Sequence, residues 1–298
     1  MADSAIQAAM HGVFPILLTP FDDQDRIDEE SLRSEVEYAI AAGVHGVGIA
    51  LGSEMPKLTE AERELVVKTV VDAVNGRVPV VVNSGAQASY PAVVYGRRAQ
   101  ELGASALMSI PPAGASASEI RAYFTALSSA VRVPIFIQDV GASPVPAALI
   151  RAIAEECDQI RYAKIETAPQ PVRISDAVKQ CGGLVKIFGG AGGTFLVEEL
   201  RRGSTGTMPF PTQLGSFVAV WDRFHAGDLH GAREVFEARI LPLLRVASGG
   251  LGMGHLVHKE VLRRKGVIGS ARVRAPADPM DEMTRGELDE FCDRVTLD

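Results

Sequence analysis

Cysteine is scarce in this chain: Cys157, Cys181 and Cys292 are the three among 298 residues. An odd number with no CxxC spacing argues against a disulfide framework or a structural zinc site, and it fits a reducing compartment. Basic charge is not in surplus. Lys and Arg total 30 against 37 Asp and Glu, a formal net charge of -7, so the footprint of a nucleic-acid or anionic-membrane partner is missing. Apolar runs such as Val78–Val82 are far too short to span a bilayer. The opening MADSAIQAAMHG has no basic region ahead of an apolar stretch, so no secretory signal is read and a cytoplasmic protein is expected. No Walker motif, GxSxG, HExxH or HxH occurs, and GxGxxG does not follow the first strand-like run. These gaps argue against P-loop, α/β-hydrolase, zinc-protease and dinucleotide-binding readings. No metal and no cofactor is expected.

What is present is an ordinary globular composition, 47% hydrophobic and 22% charged, which supports a sizeable core. Short β-branched runs alternate with amphipathic segments. The runs are Val13–Leu18, Gly46–Ala50, Val78–Asn83, Ala104–Ile110, Val133–Gln138, Ile160–Glu166, Leu184–Gly189 and Thr205–Met208. Their starts lie about 20–35 residues apart, the length of one βα unit. Between them, Ser31–Ala42 places Leu32, Val36, Ala39 and Ile40 on one helical face. Thr59–Val74 opens with a capping box, Thr59 with Glu62. Ser118–Ala130 opens on Ser118, with Arg121 in the N3 place. Eight such units predict an α/β fold, a closed (β/α)8 TIM barrel, over an open sheet.

The barrel pattern ends near Thr212. Helices are expected at Phe217–His225, Gly231–Val246, His255–Lys265 and Thr284–Arg294, with a linker at Ala275–Pro279. The division is therefore residues 1–215 as barrel and 216–298 as helices packed on it.

In such a barrel, chemistry belongs at the C-terminal ends of the strands. Lys164 ends strand six. Facing inward, a desolvated amine could attack a carbonyl and form a Schiff base; facing outward, it is a solvated lysine or pairs with Glu166. Glu166, two residues on, shares its face and could serve as acid/base or as an ion-pair partner. Gln138 and Asp139 end strand five, as substrate contacts or as caps. Gly52, Ser53 and Glu54 follow strand two and could hold an anion or only shape the loop. Gly189–Gly193, ahead of a helix near Thr194, reads as an anion site or a tight turn. Met208 ends strand eight.

The ordered set resembles a known family. Gly12-Val13-Phe14-Pro15-Ile16-Leu17-Leu18-Thr19-Pro20-Phe21 resembles the first strand of the dihydrodipicolinate synthase / N-acetylneuraminate lyase family. Gly52-Ser53-Glu54, followed by Leu58-Thr59-Glu60-Ala61-Glu62-Arg63, is similar to its Gly-Thr-Thr-Gly-Glu loop and next helix. Arg77-Val78-Pro79-Val80, Glu101-Leu102-Gly103-Ala104 and Ala163-Lys164 follow in order, and the likeness spans residues 12–270. It implies a barrel with a helical extension, usually a homotetramer, with a dimer as the other state. It also implies that Lys164 forms an imine with a 2-keto acid such as pyruvate or a keto-deoxy sugar acid.

There are departures. Where synthases and lyases carry Tyr-Asn at the end of strand five, this chain has Gln138-Asp139. Leu51 stands for a loop threonine, Ala113 for a second tyrosine, and Ser143 for an arginine. Ile137-Gln138-Asp139 and Lys164-Ile165-Glu166-Thr167 are similar instead to dehydratases of 2-keto-3-deoxy-L-arabonate. That branch implies Glu166 as acid/base, Gln138 orienting hydroxyls, backbone N–H groups near Ser53 holding the carboxylate, and Gly189–Gly190 allowing close approach. The function expected is dehydration of a 2-keto-3-deoxy sugar acid. The alternatives are dihydrodipicolinate synthase, a pyruvate-dependent aldolase, a barrel that binds a carboxylate without turnover, and a phosphate-binding barrel enzyme.

Overall fold

The structure is a computed structural model that describes residues 10–249 and 252–295. The ends of the two expected units, residues 1–9 and 296–298, lie outside it, as does most of the opening segment read for a signal. The strands are β1 (Gly12–Val13), β2 (Val47–Ile49), β3 (Val80–Asn83), β4 (Ala106–Ser109), β5 (Ile135–Asp139), β6 (Ile160–Ile165), β7 (Lys186–Gly189) and β8 (Gly206–Thr207). They run parallel in the order β1-β8-β7-β6-β5-β4-β3-β2. The two outer strands meet through a parallel bridge between Ile16 and Gly48. Gly48 N–H donates to Pro15 O at 2.8 Å and Leu17 N–H to Gly48 O at 2.9 Å. The sheet thus closes on itself, as the eightfold alternation predicts.

β1 and β8 are shorter than their apolar runs, because the chain beyond Val13 and Thr207 bends through Pro15 and Pro209 and keeps only single contacts. Proline also sets strand starts. Pro79 and Pro134 have no N–H, yet their carbonyls accept from Val47 and Leu107 on the neighbouring strands, so the ladder loses no bond there.

Around the barrel run α1 (Glu29–Ala41), α2 (Glu60–Val74), α3 (Ser89–Glu101), α4 (Ala117–Ala130), α5 (Ala147–Glu156), α6 (Gln170–Cys181) and the single turn α7 (Leu196–Leu200). The Thr59–Glu62 capping box forms as expected. The box that opens α4 is Ser116 with Glu119, two residues before the expected Ser118, because a glutamate at N3 can return a bond to the cap and Arg121 cannot.

The tail forms α8 (Leu214–His225), α9 (Leu229–Val235), a π turn at Phe236–Ile240, α10 (Leu241–Val246), α11 (Met253–Arg264) and α12 (Glu282–Arg294). The expected single helix Gly231–Val246 is broken at that π turn. Pro242 offers no N–H, and the Leu241 N–H reaches back to Phe236 O instead.

Two apolar layers follow from strand alternation. Phe14, Val81, Met108, Phe136, Tyr162 and Phe188 fill the barrel interior. Val80, Val82, Ile135, Ile137, Ala163 and Ile165 face outward under the helices. Leu262 and Ile268 of the tail pack on Leu18 of the barrel.

Candidate functional site

Alternation along β6 carries Lys164 to the barrel mouth. Ala163 and Ile165 join the outer layer and Tyr162 the interior, so Lys164 faces inward too. Below it Tyr162 stacks on Phe136 with ring centroids 4.4 Å apart, and Phe188 meets Phe136 edge-on. Lys164 is 4% exposed, and its Nζ lies 3.1 Å from Glu166 Oε1.

Glu166 is held by three donors. Besides Lys164, the Ala191 N–H donates to Oε1 at 2.8 Å and Gln138 Nε2 to Oε2 at 2.7 Å. Burial alone would raise this carboxyl. The Lys164 charge, the Ala191 N–H and the Gln138 amide outweigh it and hold Glu166 below the usual carboxylate value. Gln138 can reach because β5 pairs it in register with Lys164. Its Oε1 has no hydrogen-bond partner among the described residues.

These three side chains line a cavity of about 340 Å³ together with Gly52 and Met208. Its walls also include Ile16 and Leu51, which lie in or beside the quoted motifs, and Val140, Phe210 and His255, which the motifs do not single out. His255 comes from the first turn of α11, so the tail helices complete the mouth. Burial holds its imidazole below the ordinary value.

Of the two readings of the glycine-rich segment, the structure shows the tight turn. The chain turns at Ala191–Gly193 and only then enters the five-residue α7. Gly193 and Thr194 N–H groups donate to Gly190 O and Ala191 O. The Ala191 N–H serves Glu166, so this loop holds one of the protein's own carboxylates. Gly190 does support the site: a Cβ there would lie 2.5 Å from both Lys164 Cε and Glu166 Oε1.

Five candidate residues are not in the cavity wall: Gly190, which backs the Lys164–Glu166 pair, and the four that follow. Ser53 donates its N–H to Ala50 O and its hydroxyl to Leu17 O, so neither is available to a ligand. Glu54, at φ 56°, is buried between Lys259 and Lys57. Asp139 accepts from Val145 N–H, Thr167 Oγ1 and Arg173 and ties two loops together. Gly189 faces away from the cavity, against the Glu199 carboxyl. Ser143, at the family's arginine place, donates to Pro111 O and Pro112 O.

Among the described residues, no three His, Cys, Asp or Glu side chains are grouped to hold a metal ion, and no helix is long and apolar enough to cross a membrane.

Comparison with known proteins follows this geometry. The model of the dihydrodipicolinate synthetase family matches residues 9–294. L-2-keto-3-deoxyarabonate dehydratase of Azospirillum brasilense is 29% identical over 289 residues, covering 93% of this chain and 92% of its own. The 4-hydroxy-tetrahydrodipicolinate synthase of Sorangium cellulosum is 31% identical over 306 residues, covering 97% of each. The crystal structure of dihydrodipicolinate synthase from Rhodopseudomonas palustris superposes with a TM-score of 0.87 at 28% identity, covering 96% of this chain and 97% of that one.

Proposed function

The chain belongs to the dihydrodipicolinate synthetase family, and on that premise we propose that it is a lyase in which Lys164 forms an imine with a 2-keto acid. The observation that carries the reading is a buried amine at the mouth of the barrel, 3.1 Å from a carboxylate fixed by two further donors.

In the proposed reaction Glu166 takes a proton from the Lys164 ammonium, and the free amine attacks C2 of the substrate. Glu166 returns that proton to the carbinolamine hydroxyl, which leaves as water, and the iminium that remains is an electron sink for the C3–H bond pair. Glu166 then removes a proton from C3 to give an enamine. Collapse of the enamine expels the C4 hydroxyl, which takes that proton and departs as water. Hydrolysis of the imine releases product and returns Lys164, so the net change is loss of one water. With the Ser53 N–H engaged, the substrate carboxylate falls to the Leu51 and Gly52 N–H groups at the cavity edge. Gln138, its Oε1 without a partner, accepts from a substrate hydroxyl.

The substrate class we propose is a 2-keto-3-deoxy sugar acid. It is supported by the Gln138–Glu166 pair in place of a tyrosine and by the likeness to the Azospirillum dehydratase. Addition of the enamine to an aldehyde, as in a synthase or aldolase, is the second reading. The 31% identity to the Sorangium synthase favours it, while Ser143 in place of an arginine weakens it.

We further propose a cytoplasmic homo-oligomer, a tetramer or dimer. Tyr90 and Val94, one turn apart on α3, are 79% and 44% exposed, and three unpaired cysteines suit a reducing compartment. Light scattering on the purified protein tests the assembly.

Incubation with a panel of 2-keto-3-deoxy acids, followed by product analysis, tests the function. Loss of one water from a panel member supports the dehydratase. Carbon–carbon cleavage supports the aldolase. Thermal stabilisation without product supports binding alone and overturns the lyase.

A further inference from the structure

Behind the site lies a second buried carboxyl that the reaction above does not use. Glu199 sits on α7, on the outer side of β7. Gln170 Nε2 donates to its Oε1 at 2.5 Å, and its Oε2 has no hydrogen-bond partner among the described residues. The carboxyl occupies the place a Gly189 side chain would take: a Cβ there would fall 1.7 Å from Oε2. On the next residue the same construction meets Lys164 Cε and Glu166 Oε1, each at 2.5 Å. Consecutive residues at a strand end present opposite faces. The two glycines therefore form a seam, with Glu199 on one side, the Lys164–Glu166 pair on the other, and no side chain at either position to separate them.

We propose that Glu199 is a positioning residue that sets the charge state of the Lys164–Glu166 pair across this seam. The proposal rests on the imine reading above.

The groups acting on Glu199 are Glu166 and Lys164 from β6, Glu198 on its own helix, and Gln170 from α6. β7 presents only glycine there. Burial, followed by the charge of Glu166, pushes Glu199 up to about 8, against the Gln170 hydrogen bond and Lys164. Below that pH Glu199 is neutral and leaves the pair alone. Above it a second negative charge stands across the seam from the Lys164–Glu166 pair and opposes loss of a proton from that pair. Coupling of this kind is reciprocal: as the charge of Glu166 favours the proton on Glu199, the charge of an ionised Glu199 opposes loss of a proton from the pair.

The experiment follows the initial rate of imine formation with pyruvate, quenched at intervals with borohydride, by intact mass from pH 6 to 10. Glu199→Gln keeps the shape and cannot ionise. It is expected to match the wild type at pH 6.5. At pH 9, one unit above the wild-type ionisation, it should be about tenfold faster, because only about a tenth of wild-type Glu199 is still neutral. Gln170→Leu removes the donor that favours the anion and should move the wild-type break to higher pH. A constant rate ratio across the whole range, with Gln170→Leu also leaving the break in place, would mark Glu199 as structural only and overturn the proposal. A wild type that forms no adduct removes the imine reading and this proposal with it, whereas an adduct with parallel profiles removes this proposal alone.

Discussion

Lys259 Nζ lies 2.5 Å from Glu54 Oε1, and both side chains are fully buried. The pair joins α11 of the tail to the loop after β2, across 205 positions of sequence. Lys259 also donates to Arg272 O and stands 4.4 Å over the Phe21 ring, while Lys57 holds the other Glu54 oxygen. Glu54 therefore fixes the cavity rim and the tail together instead of touching substrate.

Breaking that pair leaves a buried charge without its partner. Lys259→Met is expected to cost about 3–5 kcal/mol of unfolding free energy, and Glu54→Gln should also destabilise. Urea titration measures both. We propose that residues 1–215 and 216–298 unfold as one unit, so each variant should keep a single transition. A new early transition assigned to the tail would contradict this.

Gln138 acts on Glu166 and not on Lys164. Gln138→Leu should slow the pyruvate adduct only slightly, since Glu166 keeps its Lys164 and Ala191 contacts, but lower kcat on the true substrate by about tenfold to a hundredfold, through misplacement of the base toward C3. Rapid-quench trapping beside steady-state kinetics separates the two. Equal losses in both would instead make Gln138 part of imine formation.

Gly190→Ala places a methyl against Lys164 Cε and Glu166 Oε1. Adduct formation should fall sharply with little change in the circular-dichroism spectrum, since the clash is with two side-chain ends at the mouth. Gly76→Ala, where the added methyl meets nothing within 4 Å but φ is +71°, controls for backbone strain. An undiminished adduct rate in Gly190→Ala would show the seam is not tight.

The contribution of Glu35 to stability should fall as pH rises from about 4.5 to about 8. Burial pushes Glu35 up to about 8, against the Leu18 N–H it accepts and the charge of Lys259. Between its ordinary value of 4.5 and that figure, the folded chain keeps a proton the unfolded chain has lost, so unfolding becomes easier with each unit. Glu35→Gln should flatten this slope in urea midpoints taken from pH 5 to 8. An identical slope in the variant would clear Glu35. With the opposite sign, burial followed by the nearby His255 lowers His258 to about 3, so the contribution of His258 to stability is lost as pH falls from 6.5 toward 3.

How much of this was legible in the sequence depends on whether a residue's role is local. Strand alternation puts Tyr162, Lys164 and Glu166 on one face, and spacing reports that much; that this face is the inward one comes from the closure of the barrel. The capping box at Thr59 can be read in the same way. Glu54, Asp139 and Ser53 sit in suggestive places, but their partners are Lys259, Arg173 and Leu17. No periodicity reports such contacts. His255 is invisible for the same reason: it reaches the cavity through the docking of α11 and lies in no motif. The glycine run was ambiguous because an anion loop and a tight turn share composition, and only coordinates show that Glu166 fills the anion place.

The central claim is that Lys164 is the nucleophile. Pyruvate and borohydride followed by peptide mass mapping tests it most directly. One reduced pyruvyl adduct per chain is expected, on Lys164, and none in Lys164→Ala. An unmodified wild type, or an adduct on another lysine that persists in Lys164→Ala, would contradict it.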